Sequence, residues 1–400
     1  MLVVITTHPI QYQVPLWREM EKAGINFEVW YLTDYGTKKS FDVEFGKSFV
    51  WDIPLLEGYK YRFLKTNEDS VPNKGFRGIS LKEDLKQLFK THQVSHVYIN
   101  GWQVLAYWQA LWTAKSLKLI TIFKGESNDL KPEVAWKWPF KKFLLSHFFN
   151  RIDYFLYIGS ANKRLYVKHG IPEKKLYPGL YCVDNKRFNE DANRLEDQKD
   201  EIRTRWNIGS DKFCILFSGK FIDKKRPLDI IRAIELIPNH QDLIQIMYVG
   251  DGELYEDLKL NGNVLYDKGE SLITSSEKAN ISIIGFLNQS EIAMAYVASD
   301  CLILPSNYNE TWGLVVNEVM ACGKPAIVSD QCGSAEDLAF PISPELVFGF
   351  GNITALSEAI IFAMKTKFTP SLIAQTIANF SYSSTVNSVK EILAKANSLH

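Results

Sequence analysis

Short apolar runs rich in β-branched and aromatic residues alternate along this chain with longer segments in which apolar positions recur at helical spacing. That alternation predicts βαβ units whose parallel strands are buried on both faces. In the first half the runs predict strands at 2–7, 27–32, 96–99, 119–123 and 153–158, with helices at 14–23, 81–92, 104–116 and 161–168. In the second half they predict strands at 213–217, 244–249, 281–284, 301–304 and 326–328, with helices at 227–237, 289–298, 314–322 and 355–364. Residues 185–205 are charged, hold few large apolar side chains and follow Pro178-Gly179, so they are expected to be a linker. A last segment of helical period, 386–396, follows Phe380-Ser-Tyr-Ser383. The pattern is that of one doubly wound domain followed by another, and 400 residues are ample for both cores.

Composition narrows the class. Apolar residues make up 46% and charged residues 23%, which excludes a disordered or collagen-like chain. Lys plus Arg equals Asp plus Glu, 46 against 46, so no nucleic-acid partner held by phosphate attraction is expected. The balance hides an asymmetry: residues 1–190 carry 28 basic and 19 acidic side chains, a net of +9, and the remainder 18 and 27, a net of −9. Five cysteines, Cys182, Cys214, Cys301, Cys322 and Cys332, are an odd number and several lie inside apolar runs, which suits a reducing compartment. Met1 to Thr7 reads as a first strand and not a signal peptide, and no run of 18 apolar residues occurs. A cytoplasmic protein without a membrane-spanning helix is expected.

Three stretches could carry chemistry. In Pro305-Ser-Asn-Tyr-Asn-Glu310-Thr-Trp-Gly313-Leu314-Val-Val-Asn-Glu318, a strand ends, a loop carries Glu310 and a helix begins near Gly313. Helical spacing puts Glu318 on the stripe of Leu314 and Cys322, where an unpaired charge would cost several kcal/mol. Hydroxyls of a ribose or hexose would satisfy such carboxylates; equally, Glu310 could cap the helix and Glu318 pair with a lysine or a backbone amide. The second stretch is Gly219-Lys220-Phe-Ile-Asp-Lys224-Lys225-Arg226-Pro227, at a helix start where cations oppose the macrodipole unless an anion such as a diphosphate joins them. A solvated surface cluster is the alternative. The third, Val249-Gly250-Asp251-Gly252-Glu253, lacks the third glycine of a dinucleotide fingerprint and reads as a tight turn in a nucleotide-binding sheet.

Taken in order and register over residues 218–338, Gly219, Gly250-Asp-Gly252, Ile284-Gly285-Phe286, Glu310 and Glu318 closely resemble the retaining glycosyltransferases of family 4. The resemblance implies a GT-B fold, two Rossmann-like α/β domains facing a cleft. Residues 1–185 would form the acceptor domain, 186–382 the donor domain, and helix 383–400 would cross back to the first. It implies that Glu310 binds the donor sugar's hydroxyls and Glu318 the nucleotide ribose. Lys220 and Lys225 would hold the diphosphate with amides near Gly313 and Leu314, and the main chain at Phe286 and Leu287 would meet the base. Transfer would proceed on one face with retention, the departing phosphate helping to deprotonate the acceptor. No Asp-x-Asp or His/Cys ligand spacing calls for a metal, and no cofactor beyond the sugar-nucleotide substrate is expected.

The first half departs from the family pattern. Thr7-His8-Pro9 stands where many members have a glycine pair, and Lys124-Gly125-Glu126 where many carry an acceptor-site histidine. His8 and Glu126 are the candidate acceptor-side residues, for a saccharide or lipid-linked acceptor. Aromatics interleave with cations across residues 131–149, a segment suited to an anionic membrane surface, as in envelope polysaccharide or glycolipid synthesis. A sugar-nucleotide epimerase and a non-catalytic sugar-nucleotide-binding scaffold are the competing functions.

Overall fold

A computed structural model describes residues 1–37, 40–42, 47–49, 51–67, 75–132, 138–274 and 276–397. The chain forms two compact units, one of Met1–Ser40, Ile53–Tyr181 and Ser381–His400, the other of Phe41–Asp52 and Cys182–Phe380. The segment Phe41–Asp52, within the stretch assigned from sequence to the first domain, thus belongs to the second unit.

Unit 1 is built on strands β1 (Leu2–Thr6), β2 (Phe27–Tyr31), β3 (Tyr61–Phe63), β4 (His96–Asn100), β5 (Ile120–Lys124), β6 (Tyr154–Tyr157) and β7 (Leu176–Pro178). All pair in parallel, in the order β3-β2-β1-β4-β5-β6-β7. This is the doubly wound order, which reverses direction at β1 and places ligand groups at the strands' carboxyl ends. The central strands are apolar on both faces because helices cover each face. The helix Leu85–Thr91 starts later than its periodicity predicts, because the Asp84 carboxylate accepts from the Gln87 amide at 3.1 Å and caps it there. Pro139 lies in the first turn of the helix Trp138–Phe149, where its missing N–H costs nothing. The final helix, Tyr382–Asn397, packs on the helix Val14–Lys22; the Tyr382 hydroxyl donates to the Tyr12 carbonyl at 3.1 Å, and Lys395 donates to the Tyr177 hydroxyl at 2.7 Å.

Unit 2 carries β8 (Phe213–Ser218), β9 (Ile244–Val249), β10 (Asn263–Asp267), β11 (Glu270–Ser271), β12 (Asn280–Gly285), β13 (Cys301–Leu304), β14 (Ala326–Ser329) and β15 (Val347–Phe348). The order is β11-β10-β12-β9-β8-β13-β14-β15, parallel except for the β10–β11 hairpin. Residues 185–205 are not a linker. They form helices Asn185–Leu195 and Lys199–Arg205, whose buried positions Phe188, Ala192, Leu195 and Ile202 recur at helical spacing beneath a charged outer face. Arg203, buried in the second of these, donates to Asp300 at 2.7 Å, and the Cys214 amide donates to the same oxygen at 2.8 Å. Burial pushes the Asp300 carboxyl up, but the Cys214 amide, Arg203 and Lys199 outweigh it and hold the carboxyl below its ordinary value. The helix is thereby tied to the amino edge of the sheet, leaving the carboxyl edge to the loops. All five cysteines are buried. Among the described residues no helix is long and apolar enough to cross a membrane.

Candidate functional site

Four loops meet at the carboxyl ends of β8, β9, β12 and β13, and backbone bonds stitch them together. The Gly219 amide donates to Val249 O at 2.9 Å, Phe221 N to Asp251 O at 2.8 Å, Gly250 N to Gly285 O at 2.8 Å and Asn307 N to Lys224 O at 2.9 Å. The approach is close enough to require glycine: a Cβ on Gly250 would lie 2.0 Å from the Gly219 carbonyl oxygen, at a φ of 137° that L side chains avoid. The turn read from Gly250-Asp-Gly252 thus seats the β8 loop on the β9 loop.

On this platform the cation and carboxylate far apart in sequence come together. After Gly219 and Lys220 the chain makes a single 3-10 turn, Asp223–Lys225, and Lys225 folds back over Gly219, where a Cβ would lie 3.4 Å from its Nζ. Lys225 Nζ lies 2.6 Å from Glu310 Oε2, with both side chains less than one-fifth exposed. Glu310 therefore pairs with Lys225. The helix Leu314–Ala321 that follows has no side-chain cap; it starts from Gly313 in the left-handed region at φ 93°, where a Cβ would strike Leu304 at 2.4 Å. The Val316 amide donates to Gly313 O at 2.9 Å, and no side chain caps this helix end, where amides point toward an approaching anion. Lys220, Lys225, Glu310, Gly313 and Leu314 all belong to this one group of loops.

Arg226 does not. The expectation of cations opposing a helix dipole fails because Asp229, in the first turn of the helix Leu228–Ile234, receives Arg226 through two bonds of 2.8 and 3.0 Å. The acid already answers the macrodipole, and the Arg226 guanidinium is committed to it.

Glu318 is half-buried on the helix Leu314–Ala321, and its partner is neither a lysine nor a backbone amide: the Tyr296 hydroxyl donates to Oε2. Burial pushes the Glu318 carboxyl above its ordinary value, countered by the Tyr296 hydroxyl, the Arg187 charge and the Gln289 amide. Tyr296 is fully buried, and that burial, with the Glu318 charge, raises its phenol well above 10, so it stays a neutral donor. Sequence reading passed over Tyr296, because in the apolar run Ile292-Ala-Met-Ala-Tyr-Val-Ala298 it has the signature of an ordinary core residue. Phe286 and Leu287 follow Gly285, whose carbonyl is bonded to Gly250, which places them beside the Gly219–Gly250 platform.

In unit 1, His8 and Glu126 follow β1 and β5, with β4 between those strands. Burial lowers His8 to about 4, so the ring is neutral at physiological pH; its Nδ1 lies 2.9 Å from the Thr7 hydroxyl and its edge meets the Tyr35 ring. Glu126 accepts from the hydroxyls of Tyr12, at 3.3 Å, and of Tyr181. The local sequence around either tyrosine carries no spacing that marks it.

The family model for glycosyl transferases group 1 matches residues 198–379, a span that begins one residue before the helix Lys199–Arg205 and holds Lys220, Lys225, Phe286, Leu287, Glu310, Gly313, Leu314 and Glu318. Over residues 198–379 the chain is similar to the glycosyl transferases group 1 family. The chain is 25% identical to spore coat protein SA of Bacillus subtilis across 206 residues, 51% of this chain and 52% of that protein. It is 29% identical to a D-inositol 3-phosphate glycosyltransferase of Streptomyces bingchenggensis across 164 residues, 39% of this chain and 34% of that protein. The chain thus spans about half or less of the length of these relatives. Among solved structures, a glycosyltransferase of Rickettsia africae superposes with a TM-score of 0.68 at 14% identity, covering 99% of this chain and 98% of its own. Anabaena HepE, in complex with UDP and glucose, superposes with a TM-score of 0.65 at 13% identity, covering 98% and 99%. These likenesses establish the fold, and it is GT-B.

Proposed function

We propose that this protein is a glycosyltransferase that moves a sugar from a nucleotide diphosphate to an acceptor hydroxyl with retention of anomeric configuration. The observation that carries the reading is the Lys225–Glu310 pair, set over Gly219 and facing a helix that begins without a side-chain cap. A diphosphate and a hydroxyl-bearing sugar have the groups each half of that pair lacks. Lys220, Lys225 and the amides at Gly313 and Leu314 meet the diphosphate, Glu310 the sugar hydroxyls, Glu318 the ribose, and the main chain at Phe286 and Leu287 the base. As the bond from the anomeric carbon to the phosphate oxygen breaks, its electron pair stays on the phosphate, where fixed cations and amides stabilise it without reorganisation. The acceptor oxygen bonds to the same face of the sugar, and its proton passes to the departing phosphate oxygen. No protein nucleophile enters, and the cations present supply the neutralisation without a metal.

A thermal-shift screen of nucleoside diphosphates and their sugars tests the reading, since a ligand bound only by the native state raises the transition with occupancy. A uridine or guanosine diphosphate is expected to raise it by several degrees. No shift with any nucleotide overturns the assignment, and a sugar nucleotide converted to its epimer without acceptor replaces transfer by epimerisation.

The acceptor, a saccharide or a lipid-linked sugar, is proposed to meet His8 and Glu126. Residues 131–149 are proposed to touch an anionic membrane surface, in envelope polysaccharide or glycolipid assembly at the inner face of the cell membrane. Part of that segment, 133–137, lies outside the described residues, but Phe143 is 70% exposed. Sedimentation with anionic vesicles is expected to fall at least threefold on changing Lys141 and Lys142 to Glu; equal binding overturns the membrane contact.

A further inference from the structure

Between β2 and β3 the chain leaves unit 1, and residues Phe41–Asp52 belong to unit 2. The end of this excursion is fixed at a specific place. The Asp52 carboxylate accepts from the Ser290 amide at 3.1 Å and from the Ser290 hydroxyl, in the turn after β12. The preceding residue, Trp51, is half-buried, and its ring centroid lies 6.4 Å from that of Phe286 at 58° between planes. Phe286 follows Gly285, whose carbonyl holds the Gly250 amide, and Gly250 rests on Gly219. A continuous row of contacts therefore runs from the diphosphate end of the site, at Gly219 and Lys225, to the indole of Trp51.

We propose that Trp51 is the platform on which the donor's nucleobase stacks, with Asp52 as the residue that positions it. This inference rests on the donor-site reading given above. Its physical basis is the match of surfaces: the main chain at Phe286 and Leu287 can bond a base edge but offers no flat face, and an indole standing beside that loop supplies one. Stacking on an aromatic ring tolerates any base, so Trp51 contributes affinity for the nucleoside while the main chain discriminates between bases. A tilted contact with Phe286 leaves the two rings as adjoining walls and not as a closed stack. The arrangement also accounts for the otherwise unexplained departure of residues 41–52 from the unit whose strands flank them: they bring a large π-surface to the second unit.

Calorimetric titration of the full chain with uridine diphosphate, guanosine diphosphate and inorganic pyrophosphate tests the proposal. Trp51→Ala is expected to weaken binding of the better nucleoside diphosphate tenfold or more while leaving pyrophosphate within twofold of the parent. Trp51→Phe retains a ring and is expected to recover most of that loss, and Asp52→Ala to fall between the two. Nucleoside diphosphate bound by Trp51→Ala as tightly as by the parent overturns the platform and leaves the donor site standing. Equal losses for nucleoside diphosphate and pyrophosphate also overturn it, because Trp51 would then only support the loops. A parent chain that binds neither compound overturns the donor site itself.

Discussion

A Lys225→Ala variant is expected to lose about three orders of magnitude in kcat/KM for sugar transfer, the upper end of what removal of one preorganised charge costs. The size follows from the company Lys225 keeps. Its ammonium lies 2.6 Å from Glu310, both groups mostly shielded, and against the glycine where the phosphate chain is proposed to run. Deleting it removes a cation from the leaving group and leaves the Glu310 carboxylate unpaired beside two incoming phosphates. The second effect makes the loss larger than that of a solvated lysine, whose exposed ion pairs contribute little. Glu310→Gln is expected to lower kcat more than donor affinity, because it withdraws charge from the reacting sugar and relieves the diphosphate of a negative neighbour. The double variant should therefore bind nucleoside diphosphate better than the sum of the two single losses predicts. Initial rates of nucleoside diphosphate release, with titrations of all three variants, check this; a Lys225→Ala enzyme within threefold of the parent sinks the assignment.

Much of the fold is legible in the sequence because buried parallel strands are uninterrupted apolar runs: Phe213-Cys-Ile-Leu-Phe217 and Ile244-Gln-Ile-Met-Tyr-Val249 leave few other readings. Edge elements escape that signal. Tyr61–Phe63 and Leu176–Pro178 are three-residue strands, and each is paired through neighbours distant in sequence. Residues 185–205 mislead by composition, since a helix packed along one narrow stripe needs only Phe188, Ala192, Leu195 and Ile202 to be apolar. In the site, the glycines and the two glutamates announce themselves through local spacing, whereas partners do not. The Lys225–Glu310 pair and the Tyr296–Glu318 bond join loops and helices whose approach only the folded sheet defines. Arg226–Asp229 is different: a pair three residues apart, its acid in the first turn of a helix and its cation just ahead of it, is readable from sequence, and it removes one cation from the supposed cluster.

Glu318→Gln is expected to have opposite effects on stability and on binding. Burial holds the Glu318 carboxyl above its ordinary value, so folding favours the protonated form. That contribution is fully present below the unfolded carboxyl's pKa and is lost as pH rises through the raised value, which leaves a charged Glu318 as a cost to the fold at neutral pH. Glutamine resembles the protonated acid at every pH, keeps an oxygen for the Tyr296 hydroxyl and fills the same volume. Its thermal transition without ligand should therefore equal or exceed that of the parent at pH 7, and the difference should vanish on acidification. Binding runs the other way. Two ribose hydroxyls donating to a carboxylate make charge-assisted bonds, and an amide oxygen replaces them poorly, so nucleoside diphosphate affinity should fall about a hundredfold. The same raised carboxyl predicts that the parent loses nucleotide affinity as pH falls, from a higher pH than an ordinary glutamate would give. Tyr296→Phe removes a bond that counters the effect of burial and should move that loss to higher pH still. Melting curves and titrations across pH 5 to 8 check both halves; a Glu318→Gln chain that melts lower yet binds nucleotide as the parent does would show that the carboxylate serves the fold and not the ribose.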